Sequence, residues 1–213
     1  MLDYPGKTAC IVWFAGCNMA CSYCYNPDIV TSKGQMTYDE VLTFLEKRKG
    51  LLDAVVLSGG ESTRAKEIVE FTKRIKNLGF LVKLDTNGSM PHIVDEMLGM
   101  KLIDYVALDF KSLLGNFYRI TKSKLFSRFE IVLKRLIESD VAFEVRTTFH
   151  DSVLCVSDLE EMCKYLVGKK YQGNYYIQHY FNGSKTIGSL NDSHVRLEDK
   201  SIESFGLKVE IRN

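Results

Sequence analysis

Apolar and polar positions alternate in blocks along this chain, and the period changes from block to block. TACIVWFAG (8–16) is rich in apolar and β-branched residues and reads as a buried strand. TYDEVLTFLEKRKG (37–50) has helical spacing; Thr37 and Glu40 make a capping box, and Gly50 follows a basic last turn. DAVVLS (53–58) is a second strand. AKEIVEFTKRIKNLG (65–79) sets Ile68, Phe71, Ile75 and Leu78 on one helical face and closes on Gly79. FLVKLD (80–85) is a third strand, after which Pro91 opens a short helix holding Ile93, Val94, Met97 and Leu98. LIDYVALD (102–109) is a fourth strand. A loop follows, then a helix carrying Leu125, Phe129, Val132, Leu133 and Leu136. VAFEVRTTF (141–149) is a fifth strand; Ser157 and Glu160 cap the next helix and Gly168 ends it. NYYIQHYF (174–181) is a sixth. From Asn182 the pattern is less periodic, with a short helix and a last strand, LKVEI, expected there.

Six strand–helix alternations with short connections predict a parallel sheet with helices outside. An open doubly wound sheet and a barrel of β/α units both fit. A full eight-unit barrel typically needs ~250 residues. With 213 residues the chain predicts a partial, open (β/α)6 barrel. We expect a core domain over 1–181 and a C-terminal extension over 182–213 packed on it.

Composition narrows the class. Apolar and charged content are those of a globular chain. No apolar run reaches membrane-span length. MLDYPGK lacks the basic and apolar regions of a signal peptide, which points to the cytoplasm. Six cysteines without a secretory signal argue against a disulfide framework. A formal charge of +1 gives no overall nucleic-acid signature.

The polar residues cluster at one end of this scheme. Strand one leads into Cys17, Cys21 and Cys24, and strand two into SGGES (58–62). Strand three ends in DTNG (85–88) and strand four in DFK (109–111); strand five carries Arg146, and strand six Gln178 and His179. In parallel β/α proteins the C-terminal strand ends form the ligand-binding face. Cysteines at i, i+4 and i+7 would align on a helix, yet Gly16 before them and Asn26-Pro27 after them favour a loop. Structural zinc usually takes four ligands, and Cys10, Cys155 and Cys163 lie far off in sequence. Zinc with a histidine or an open position remains an alternative. The third reading is a cubane iron–sulfur cluster held by three thiolates, with one iron left for a small molecule.

The Cys-x3-Cys-x2-Cys spacing, with Tyr23 before the last cysteine, resembles the radical S-adenosylmethionine superfamily. The resemblance implies a [4Fe–4S] cluster on Cys17, Cys21 and Cys24 whose open iron chelates S-adenosylmethionine. One-electron cleavage would give methionine and a 5′-deoxyadenosyl radical that takes a hydrogen atom from the substrate. It also implies the partial β/α barrel. Gly59, Gly60 and Glu61 are similar to the superfamily's Gly-Gly-Glu segment, which holds the methionyl amino group; Ser62 stands where proline is usual. The Asp-Thr-Asn-Gly and Asp-x-Lys segments resemble those of the glycyl radical enzyme activases. By that resemblance Asp85, Thr86 and Asn87 line the cofactor pocket. Asp85 and Asp109 would organise the methionine end, with a bound monovalent cation as a further expectation, and Lys111 would face the carboxylate or ribose. Arg146 and His179 occupy late-strand positions where related activases contact the cofactor. Tyr25 follows the third cysteine where histidine is common.

LDYPGK, FLEKRKGLLDAVVLSGGE and LGFLVKLDTNG are similar to the pyruvate formate-lyase-activase-like form of the anaerobic ribonucleotide reductase activases. The resemblance runs from Leu2 to Phe181. It implies a glycyl radical enzyme as protein substrate, anaerobic ribonucleotide reductase first among them. It also implies a reduced flavodoxin- or ferredoxin-type electron donor. Two rivals are a radical enzyme acting on a small molecule or peptide, and an iron–sulfur electron-transfer or metal-binding module that makes no radical.

Overall fold

The computed structural model describes residues 3–198 and 201–212; Leu2, which heads the LDYPGK segment, lies outside them. The strands are β1 (Ala9–Phe14), β2 (Ala54–Gly59), β3 (Leu81–Thr86), β4 (Tyr105–Asp109), β5 (Ala142–Phe149), β6 (Asn174–His179) and β7 (Lys208–Arg212). Among the described residues they form one seven-stranded sheet in sequence order, each neighbouring pair parallel. β1 and β7 stand at the two ends of that order and are not joined. The helices are α1 (Pro27–Thr31), α2 (Tyr38–Glu46), α3 (Ile68–Asn77), α4 (Pro91–Gly99), α5 (Leu114–Thr121), α6 (Phe126–Ile137) and α7 (Val156–Gly168). This is the open, partial α/β barrel that the alternation predicts.

Parallel strands covered by helices bury nearly continuous apolar runs. Leu57, Leu84, Leu108 and Val145 are fully buried and share a core with Phe71 and Ile75 of α3, Phe129 of α6 and Leu159 of α7. Each such side chain contributes about 1.5–3 kcal/mol. A second, small cluster sits on the other sheet face, where Tyr4 packs with Ala54, Val56 and Tyr105. It stoppers the inner face at the N-terminal strand ends.

The predicted capping box of α2 is present: Thr37 N donates to Glu40 and Glu40 N to Thr37 Oγ1. The one expected on Ser157 and Glu160 lies two residues earlier. Cys155 is the N-cap of α7, and its amide donates to Asp158 Oδ2 at 2.9 Å. Asn26-Pro27, read as the end of a loop, starts α1, because proline at the first helical position forgoes only an N–H the helix does not use. The loop after β4 holds α5, which buries Phe117 and Ile120. In the tail the expected last strand forms as β7, but no helix forms among the described residues. Asn182, Thr186 and Asp192 instead spend their side chains on nearby backbone.

Candidate functional site

Side chains two apart along a strand share a face, so the chemistry of the inner wall follows from strand parity. Ser58, Lys83, Asp85, Asp109, Arg146 and Gln178 all line one cavity of about 320 Å³. Their charges form a buried chain. Lys83 Nζ lies 2.7 Å from Asp85 Oδ1, and Ser58 Oγ donates to Asp85 Oδ2 at 2.9 Å. Arg146, paired in register with Asp109, donates through Nε to Asp109 Oδ1, and its Nη2 lies 3.3 Å from Asp85 Oδ2. Lys111 Nζ completes the chain 3.0 Å from Asp109 Oδ2. Three cations thus face two carboxylates. Burial alone would raise the Asp109 pKa; Arg146 and Lys111 reverse this and hold it down to about 2. Burial likewise opposes the Lys111 charge, but Asp109 keeps its pKa well above the ordinary lysine value.

The cysteine loop enters from β1 and is fastened to β2 by two glycines. A Cβ on Gly60 would stand 2.1 Å from the Gly16 carbonyl oxygen, and one on Gly59 (φ +113°) 2.5 Å from the Phe14 backbone. Gly60 N donates to Phe14 O and Glu61 N to Gly16 O across this seam. Only glycine permits so close an approach. Cys17, Cys21 and Cys24 all line the same cavity. Burial pushes the Cys21 thiol up to about 12 and raises that of Cys17 as well. Metal binding must therefore take protons from these thiols. Met19 N donates to Cys17 Sγ at 3.4 Å, and Asn87 Nδ2 lies 3.8 Å from the same sulfur. Tyr23 is buried beside them, its hydroxyl without a hydrogen-bond partner and its ring 5.8 Å from Lys111 Nζ. Tyr25 stands half-exposed at the rim.

Glu61 is buried but turned away from the cavity. It accepts hydrogen bonds from Thr63 N, Thr63 Oγ1, Thr86 Oγ1 (2.8 Å) and Asn87 N (2.7 Å). Burial raises its pKa and these donors oppose the rise. Thr86 points the same way, whereas Asn87 reaches the cavity wall. Glu61 therefore ties the loop after β2 to the loop after β3. An amide in its place would present a donor to donors. We expect Glu61→Gln to cost about 1–3 kcal/mol of stability, read as a lowered melting temperature of the cofactor-free protein. A wild-type melt would remove this tie.

His179 ends β6 with the opposite parity. Its Nε2 lies 3.3 Å from Leu197 O and its ring packs edge-on against Phe149. The structure sets it apart from the cavity and puts Gln178, partnered in register with Thr148, on the wall. Lys83 and Gln178 were not singled out from the sequence as cofactor contacts. Counting by twos from Asp85 and Arg146 through the sheet register finds both.

A monovalent cation at Asp85 and Asp109 would share their oxygens with protein donors. Each carboxylate oxygen of Asp85 and Asp109 already has a protein donor, and the Arg146 guanidinium bridges the two groups. The cluster and the nucleoside cofactor do fit. Three thiols share one cavity, a buried lysine stands beside them, and the Tyr23 hydroxyl is unsatisfied. Among the described residues no three of His, Cys, Asp and Glu converge on a single-ion position. Thiols spread around a cavity suit a cubane, whose irons are bound one thiolate each.

The profile of the Radical SAM superfamily matches residues 11–165, well over half of the chain. The chain belongs to the radical S-adenosylmethionine superfamily. It is similar to a candidate glycyl-radical enzyme activating enzyme of Methanocaldococcus jannaschii, 34% identical over 170 residues, which cover 76% of this chain and 70% of the relative. It is also similar to the pyruvate formate-lyase-activating enzyme of Clostridium pasteurianum, 31% identical over 168 residues, 76% of this chain and 68% of that one. Among solved structures it resembles Streptococcus suis SuiB bound to S-adenosylmethionine, with a TM-score of 0.76 at 12% identity. All of this chain aligns there, spanning 52% of that chain. Within the superfamily this is thus an enzyme of the glycyl-radical activase branch, and the superfamily's [4Fe–4S] cluster and S-adenosylmethionine are its cofactors. No helix among the described residues is long and apolar enough to cross a membrane.

Proposed function

We propose that this protein installs a glycyl radical on an anaerobic ribonucleotide reductase, acting in the cytoplasm with a reduced flavodoxin- or ferredoxin-type donor. The observation that carries the reading is one cavity with three thiols on one side and a charged inner wall on the other, in a chain of the activase branch. The ribonucleotide reductase is favoured over other glycyl radical enzymes by the LDYPGK and FLEKRKGLLDAVVLSGGE segments.

When bound, the cluster and S-adenosylmethionine supply a one-electron reductive cleavage that ends in hydrogen-atom abstraction. The chain's residues prepare it. Cys17, Cys21 and Cys24 hold the cluster. Gly59 and Gly60 bring bare backbone to the cavity edge for the methionyl amino group. Lys111 and Arg146 would supply positive charge for the methionyl carboxylate, and Asp85 and Asp109 hold both cations in place. A glycine Cα–H suits this chemistry because the resulting radical is delocalised over two flanking amides.

The test is anaerobic incubation of the reconstituted protein with S-adenosylmethionine, a reductant and purified anaerobic ribonucleoside-triphosphate reductase. We expect the glycyl radical signal by electron paramagnetic resonance and its absence with pyruvate formate-lyase. A signal only with pyruvate formate-lyase would overturn the partner. Cofactor cleavage with no signal on either would favour a small-molecule or peptide substrate.

A further inference from the structure

The segment that closes over the cysteine loop lies in the tail, beyond residues 11–165 matched to the superfamily. Residues 182–193 form a loop fastened at its base by a reciprocal pair. Asn182 Nδ2 donates to Ser193 O and Ser193 N to Asn182 Oδ1, both at 2.9 Å. Gly183 N donates to Asp192 Oδ1 at 2.8 Å just inside it. The base is moored to the turn after β5. His150 Nε2 lies 2.9 Å from Asn191 O, and Asp151 Oδ2 accepts from His194 N and Val195 N.

The tip of this loop meets the cluster loop backbone to backbone. Ile187 N donates to Cys24 O at 3.1 Å and Gly188 N to Ser22 O at 2.8 Å. Gly188 lies so close that a Cβ would stand 2.8 Å from both Ser22 O and Ser22 Cβ. The tip turn is held by the buried Thr186, whose Oγ1 accepts from Leu190 N at 2.8 Å. On its other side the cysteine loop is fixed by α5: Ala20 N donates to Thr121 O and Ser22 N to Ile120 O, at 2.9 and 3.0 Å. Residues 20–24 are thus gripped from two sides, by a helix end and by the tail.

We infer that residues 182–193 are a clasp that keeps the cysteine loop in its cluster-holding shape, with Gly188 and Thr186 as positioning residues. The two tip bonds secure the carbonyls beside Cys21 and at Cys24 itself. Loss of the clasp frees one side of the loop and leaves the thiolates able to drift from the iron. The inference rests on Cys17, Cys21 and Cys24 being the cluster ligands, a reading that cysteine replacement tests separately.

The experiment compares the anaerobically reconstituted wild type with Gly188→Ala, Thr186→Val, Thr186→Ser and Lys185→Ala. Readouts are the rate at which a chelator strips iron, the electron paramagnetic resonance spectrum of the reduced cluster, and the melting of the cluster-free protein. Two hydrogen bonds at their usual net value correspond to about tenfold or more in the open fraction of the loop. Gly188→Ala should therefore take up a full complement of iron, lose it about tenfold faster, and show a broadened spectrum. Thr186→Val should do the same more weakly, while Thr186→Ser, which keeps the hydroxyl, and the exposed Lys185→Ala should match the wild type. Cluster-free melting should fall by no more than the roughly 2–4 °C that the lost bonds themselves account for, a larger fall counting as early melting. Wild-type iron loss and spectrum in both Gly188→Ala and Thr186→Val would overturn the clasp. So would early melting of the cluster-free variants, which would make the segment a support of the fold.

Discussion

Single replacement of Cys17, Cys21 or Cys24 by alanine is expected to abolish the cluster and with it all cleavage of S-adenosylmethionine. Each thiolate holds its own iron, so no remaining ligand can substitute. The three other cysteines supply the control. Cys163 is fully buried in the α7 core, Cys10 packs among the strand residues, and Cys155 caps α7 in the open. None of them lines the cavity. Their alanine variants should keep wild-type iron content and visible spectrum. If Cys10→Ala, Cys155→Ala or Cys163→Ala lost iron as fully as the others, the ligand set would be wrong.

The second large effect concerns stability. Arg146→Met keeps length but removes the guanidinium that bridges the buried Asp85 and Asp109, leaving each carboxylate with one lysine, Lys83 or Lys111. Losing a charge-assisted hydrogen bond to a buried carboxylate typically costs about 1.5–3 kcal/mol, which in a domain of this size lowers the melting temperature by roughly 5 °C. The sign of the pH dependence follows from Asp109. Its pKa is depressed in the wild type, so its stabilisation is present above the ordinary aspartate range and fades as pH falls toward about 2. In the variant Lys111 alone opposes burial at Asp109, the carboxylate pKa rises, and protonation comes at a higher pH than in the wild type. The gap between wild type and variant should narrow between neutral pH and about 4. Melts of the cofactor-free proteins across that range decide it. A gap that is absent, or constant with pH, would mean that the guanidinium does not neutralise this pair.

The strands were legible because parallel strands under helices are apolar along their length, and the turn residues between them are unambiguous. The end of the sheet where chemistry collects was legible for the same reason. Less was visible where local signals compete. Asn26-Pro27 can close a loop or start a helix, and only contact with the rest of the chain selects α1. The acid that caps α7 is Asp158, where Glu160 stood equally well placed in sequence. His179 attracts attention as a titratable residue, yet parity turns it outward and gives Gln178 the wall. Glu61 reads as a ligand for an ammonium, but four internal donors claim it. The clasp left no periodic trace, because loops built on side-chain-to-backbone bonds have none. Gly188 was one glycine among fifteen until Ser22 was seen beneath it.

Among the described residues the sheet has seven strands, and its first and last, β1 and β7, are not paired with each other. A closed barrel can be entered only through its mouth, which suits a small molecule or a chain with a free end to thread. A barrel with a slit down one side sets no such condition. An internal stretch of a large folded protein, with both of its ends committed elsewhere, can slide in sideways and leave the same way. The unfinished sheet therefore suits the protein substrate proposed above, which has no end to offer.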